Sequence, residues 1–137
     1  MVFISLVEKD TQKRLLDYFF KQCTNFSVMY PEGTEATSLD NPLLAQKENF
    51  LRLKNIHITK WSGIENGIKI SGLLTSEVQH LFYLSLQKKG MWCYSLFVKE
   101  DEVFSVSDFD VGQLKIPQSE ITSLIQKEII NSNDLMQ

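Results

Sequence analysis

Two neighbouring stretches in the last third of the chain constrain the fold most. Met91 to Val98 is an almost unbroken apolar run that includes Trp92, Tyr94 and Phe97. The charged segment Lys99-Glu100-Asp101-Glu102 follows, and then Val103 to Val106. Two runs rich in aromatic and β-branched residues, separated by a short polar break, describe a β-hairpin. A hairpin is marginal alone and needs further strands or a helix against its apolar face. The rest of the 137 residues must supply them. A chain of this length is expected to form one domain, 1–137, and to bury roughly two thirds of its unfolded surface.

The other elements follow from periodicity. Asp10 or Thr11 can cap a helix over about 8 to 22, in which Leu15, Leu16, Phe19 and Phe20 recur at helical spacing among charged residues. Phe26 to Tyr30 reads as a short strand stopped by Pro31-Glu32-Gly33, with a polar loop over 31–41. Asn41-Pro42 suits the start of a short helical turn through Leu43 and Leu44. From Phe50, Leu51, Leu53, Ile56 and Ile58 alternate with polar residues, which predicts a half-buried strand with a bulge near Asn55. Glu65-Asn66-Gly67 is a hairpin turn signal, and Ile68, Ile70 and Leu73 form the return strand.

Residues 74–89 carry two patterns. Val78, His80, Phe82, Leu84 and Leu86 sit two apart, as in a strand. Leu74, Val78, Leu81 and Phe82 also share one helical face, and Ser76 with Gln79 could make a capping box. The strand reading is taken, because Lys88-Lys89-Gly90 then makes a hairpin loop into the Met91 run. Asp108 to Gly112 reads as a loop and Leu114 to Ile116 as a short edge segment closed by Pro117. Ser119 would cap a last helix with Ile121, Leu124, Ile125, Ile129 and Ile130 on its apolar side, and the tail 131–137 is expected to fray. The sum is an α+β domain: an antiparallel β-meander sheet with an N-terminal and a C-terminal helix packed on it. The other face of the sheet would be partly open to water, and a partner could dock there.

Composition excludes several classes. With 43% apolar and 23% charged residues, nine Phe and three Pro, the chain is no candidate for disorder. The N-terminal Met-Val-Phe-Ile-Ser-Leu-Val has no basic lead-in and Glu8 follows at once, so no signal peptide is read. No apolar run approaches the roughly 18 residues of a membrane span. A cytoplasmic location is expected, with Cys23 and Cys93 as free thiols. No cofactor or metal site is expected. The glycines never cluster into a phosphate loop, and no Cys or His pair has zinc-ligand spacing. Asp108-Phe109-Asp110-Val111-Gly112 begins like a calcium loop, but its glycine falls at the fifth position and Ser119 occupies the twelfth. Arg52, Lys54, Lys60 and Lys69 are too few for a nucleic-acid stripe in a chain with a pI of about 5.4.

Charge is unevenly placed. From Glu100 onward there are eight acids and two bases, whereas the first 99 residues hold nine acids and twelve bases. The acidic set Glu100, Asp101, Glu102, Asp108 and Asp110 is therefore the candidate partner-binding site. An acidic surface steers a basic partner and suppresses wrong ones.

In size, in charge pattern and in the layout of strand, acidic turn and strand over Trp92 to Val106, the chain resembles bacterial immunity proteins. The likeness covers roughly the last 50 residues and carries no diagnostic motif. It implies an inhibitor that covers the basic active site of a toxin, such as a nuclease, with its carboxylates. Two other classes compete. A small hydrolase or nuclease would use His57 and His80, which must then flank one reacting group. A ligand-binding or scaffold domain would hold a pocket between sheet and helices, lined by Trp and Phe.

Overall fold

The structure is a computed structural model that describes residues 1–31, 41–61 and 67–136. Eight strands form one antiparallel sheet: β1 Val2–Ser5, β2 Asn25–Pro31, β3 His57–Trp61, β4 Gly67–Leu73, β5 Tyr94–Val98, β6 Asp101–Ser107, β7 Val111–Leu114 and β8 Leu135–Met136. Their order across the sheet is β3-β4-β2-β5-β6-β7-β1-β8. The helices are α1 Lys9–Phe20, α2 Lys47–Leu51, α3 Ser76–Leu86 and α4 Gln118–Gln126. The α+β class with terminal helices on an antiparallel sheet is as the sequence predicts. Only β5-β6-β7 is a true meander; α1 and α3 are inserted between strands, so β2 pairs with β4 and β5.

One face of the sheet carries the core. Phe26, Val28, Tyr30, Ile70, Tyr94, Leu96, Phe104, Val106, Leu114 and Ile4 alternate inward along their strands and are buried. All the ring contacts between helix and sheet fall on this face. Phe19 of α1 stacks on Phe104 with centroids 5.1 Å apart. Phe82 of α3 meets Tyr94 at 4.8 Å, Phe20 at 5.6 Å, Phe50 at 6.0 Å and Phe26 at 6.3 Å. Helix α4 buries Ile121 and Leu124 in the same core, and Tyr18 of α1 donates to Glu120 of α4 at 2.7 Å.

A polar thread crosses this core. Gln12 is fully buried and its Nε2 donates to the Tyr94 hydroxyl at 2.6 Å. Burial pushes the Tyr94 hydroxyl well above its ordinary pKa, and the Gln12 hydrogen bond offsets this in part. Lys9 Nζ donates to the carbonyls of Leu6 and Phe109, to Gln12 Oε1 and to Asp110. It ties the start of α1 to the β6–β7 turn.

Several expectations are corrected. Residues 76–86 form a helix, not a strand. The Thr75 hydroxyl accepts from the Val78 N–H at 3.3 Å, so the cap lies one residue before Ser76, and Val78, Leu81, Phe82 and Ser85 face inward. Phe50 and Leu51 end α2, and the strand starts only at His57. Leu114 closes β7, which lies inside the sheet between β6 and β1. Pro117, not Ser119, occupies the N-cap of α4, and that helix stops at Gln126. Residues 131–136 are tied down where fraying is expected: Asn131 and Asp134 make a capping box, and Leu135–Met136 pairs with β1. Residues 32–40 of the 31–41 loop and the first two residues of the Glu65-Asn66-Gly67 turn lie outside the described residues.

Candidate functional site

The five acidic residues do not form one surface. Strand β6 separates them into two groups about 20 Å apart, because its seven residues each advance roughly 3.3 Å. At the far end, Asp110 is ion-paired with Lys9 at 2.9 Å. Asp108 accepts from the Trp92 indole N–H at 3.1 Å. At the near end, Glu102 is ion-paired with Lys115. Of the five, Glu100 and Asp101 are exposed and have neither an ion pair nor a side-chain hydrogen bond among the described residues, while Asp108 is exposed and engaged only by the Trp92 indole. The Asp108–Asp110 turn is no calcium loop: Asp108 and Phe109 take left-handed backbones, with φ of 51° and 67°, as a tight hairpin turn requires.

The histidine pair also separates. His57 is exposed on edge strand β3, in register with Ser71 and on the side of the sheet away from the core. His80 is exposed on α3, which packs on the core side. The sheet lies between them, so they cannot serve one reacting group as acid and base. Burial pushes the Cys23 thiol up to about 12 and the Cys93 thiol up to about 11, which withholds the thiolate that nucleophilic chemistry needs. No cluster of His, Cys, Asp and Glu suited to a metal occurs among the described residues. A groove of about 900 Å³ lies between the Pro42–Leu44 turn, α2 and the C-terminal end of α3. Lys47, Lys88, Lys89 and Leu84 line it, with no Trp or Phe, and it is not the sheet–helix pocket of the ligand-binding reading.

The face of the sheet opposite the core carries a different pattern. Following the register from strand to strand, one row runs His57, Ser71, Ser27, Ser95, Ser105, Gln113, Phe3 and Met136. It crosses all eight strands at right angles. Its centre is four consecutive serines. Longer side chains stand in the rows on either side: Leu73, Asn25 and Phe97 along one flank, Lys69, Met29 and Cys93 along the other. Beyond the second flank Trp61 meets Trp92, with ring centroids 5.5 Å apart. Leu73 is 64% exposed and Phe3 44% exposed. None of the described helices packs against this face.

Ser27 and Ser95 decide what the row can do. Both side chains are only 4% exposed, yet neither hydroxyl has a hydrogen-bond partner among the described residues. Among the described residues no side-chain oxygen or nitrogen sealed from solvent lacks a partner, so these two hydroxyls keep a slight contact with solvent. By contrast, the Ser105 hydroxyl is engaged with Gln113 Oε1 at 3.4 Å. The face thus has a nearly buried row of small residues between apolar and aromatic side chains, with the ammonium of Lys69, which has no ion pair among the described residues, beside it.

The sequence reading passes over these serines. Their signal is nevertheless present: an apolar-Ser-apolar triplet recurs as Phe26-Ser27-Val28, Tyr94-Ser95-Leu96 and Phe104-Ser105-Val106. In each, alternation sends the flanking residues to the core and the serine to the other face. Compared with family models, curated proteins and solved structures, the chain matches none. No described helix is long and apolar enough to cross a membrane.

Proposed function

We propose that this protein is a non-catalytic binding module that acts by docking a partner protein on the open face of its sheet. The observation that carries this reading is the pair of nearly buried hydroxyls of Ser27 and Ser95, unpartnered among the described residues, on a face framed by exposed Leu73 and Phe3 and by the half-buried Phe97 and Trp61–Trp92 pair. A surface that has small and aromatic groups at its centre and charge only at its rim suits protein recognition. The separated histidines and the raised thiol pKa values leave the enzyme reading without a reacting centre among the described residues.

An inhibitor of a basic toxin is the concrete form of this function that the charge pattern favours. Its electrostatic part now rests on Glu100 and Asp101 at the β5–β6 turn, since Glu102 and Asp110 are engaged by the chain's own lysines. The test is affinity capture from cells of the source with three baits: wild type, Ser105→Arg, and the double variant Glu100→Gln with Asp101→Asn. The expected result is one protein held by wild type, lost with Ser105→Arg, and held more weakly by the double variant at low salt, with the difference narrowing as salt rises. A protein held equally by wild type and Ser105→Arg would remove the open face from the interface.

A further inference from the structure

We propose that the groove between the Pro42–Leu44 turn, α2 and the end of α3 binds a small phosphate monoester with an apolar body. This site is separate from the open face of the sheet and does not depend on how that face is used. The groove encloses about 900 Å³, which is the size of clefts that take small organic ligands. Its walls come from two stretches of sequence, 41–49 and 84–90. Packing in the core holds them in place. Phe50 of α2 is fully buried and meets Phe82 of α3 at 6.0 Å between ring centroids. The Tyr30 hydroxyl donates to the Ala45 carbonyl at 2.7 Å and pins the link between the turn and α2. At the other wall, Gly90 takes a φ of 89° and its N–H donates to the Ser85 carbonyl at 2.9 Å, which closes the end of α3.

The lining runs against the charge of the whole molecule. The chain carries a net charge of -3, yet Lys47, Lys88 and Lys89 line the groove against the single acid Glu48, which leaves two positive charges in excess. Lys47 is half-buried and Lys88 exposed, and neither has an ion pair or a side-chain hydrogen bond among the described residues. The Lys89 ammonium lies 4.5 Å from the centroid of the Phe109 ring, a contact that places its charge and leaves its N–H donors available. Favourable interaction with the last carbonyls of α3 accounts for Lys88 and Lys89. It does not account for Lys47, on the opposite wall. A phosphate monoester carries close to two negative charges near neutral pH and matches the excess, and lysine ammoniums are common phosphate ligands. Inorganic phosphate alone would leave most of the volume, with Leu44 and Leu84, unfilled. The ligand therefore carries an apolar group that rests on these two side chains. A nucleic-acid strand is a poorer occupant, since the acidic chain as a whole repels a long polyanion.

The test titrates the full chain with naphthyl phosphate, naphthol, naphthoate and inorganic phosphate, read by amide shifts in NMR spectra. It is repeated on Lys47→Gln and on Lys88→Gln; Lys88 is exposed, so its variant keeps the fold even if the other does not. Naphthyl phosphate is expected to shift amides in 41–49 and 84–90, and to bind about tenfold more weakly to either variant. The other three probes are expected to bind wild type about tenfold more weakly than naphthyl phosphate, or not at all. Naphthoate bound as tightly would overturn the phosphate assignment, and naphthol bound as tightly would remove the lysines from recognition. Inorganic phosphate bound as tightly would overturn the apolar body. Shifts confined to other parts of the chain, an affinity unchanged in Lys88→Gln, or no binding of any probe would overturn the site itself. Each of these outcomes leaves the docking reading of the open face untouched.

Discussion

Gln12 shows how one side chain can be worth more than its place in a pattern. It lies in α1 among charged residues, where the sequence reads as a solvated helix face, yet it is fully buried and is the donor to the Tyr94 hydroxyl. Removing it leaves that hydroxyl buried without its donor, which costs roughly 1–3 kcal/mol. Gln12→Ala is therefore expected to lower stability by about 2 kcal/mol in urea unfolding, and Tyr94→Phe made on top of it should recover part of the loss. Additive losses would show that the two side chains do not depend on each other. Cys93 gives a second residue-scale expectation. Burial first, and then the charges of Asp108 and Glu102, push its pKa up to about 11. Alkylation by iodoacetamide should stay slow at pH 8 and rise through about pH 11. The sign for stability follows: the folded state holds this proton more tightly than the unfolded chain. The corresponding stability is present below the unfolded value of about 8.5 and is lost as pH climbs toward 11. Rapid labelling at pH 8 would contradict the burial.

At the scale of elements, α3 carries the sharpest lesson. The residues 74–89 satisfy a strand period and a helix period at once, and single-sequence periodicity cannot arbitrate between them. The choice is made by a contact the sequence does not display. Phe82 fills the centre of a ring cluster with Phe20, Phe26, Phe50 and Tyr94, drawn from α1, β2, α2 and β5. As a helix the segment brings Phe82, Val78 and Leu81 to that cluster together; as a strand it would turn every second side chain away. Phe82→Ala should cost about 3–5 kcal/mol by thermal or denaturant unfolding, and a loss under about 1 kcal/mol would contradict its central position. The strands and helices whose periods are unambiguous, such as α1, β5 and β6, are legible in the sequence. Strand β1 and strand β8 are not, because four and two residues are too short for any period to register. Their partners lie far along the chain, with Phe3 opposite both Gln113 and Met136. The serine row is hidden for a related reason. Each serine is an ordinary member of its own strand, and only the register of eight strands places them side by side.

At the scale of the whole molecule, the sheet divides the chemistry. Helices and core lie on one side, and the other side keeps small hydroxyls between exposed apolar groups. The acidic excess of the last third, so evident in composition, is dispersed along β6 and partly spent on the chain's own lysines. Net charge therefore describes encounter with a partner better than it describes where that partner sits. In the proposed function, a partner covers the face of the sheet against which none of the described helices packs. Photo-crosslinking tests it most directly, with p-benzoylphenylalanine placed in turn at Leu73 and Ser105 on the open face, at His80 on α3, and at Glu100 on the β5–β6 turn, in living cells of the source. One covalent adduct, of the same mass, is expected from Leu73 and from Ser105 and none from His80. Adduct formation at His80 with silence at both open-face positions would contradict it.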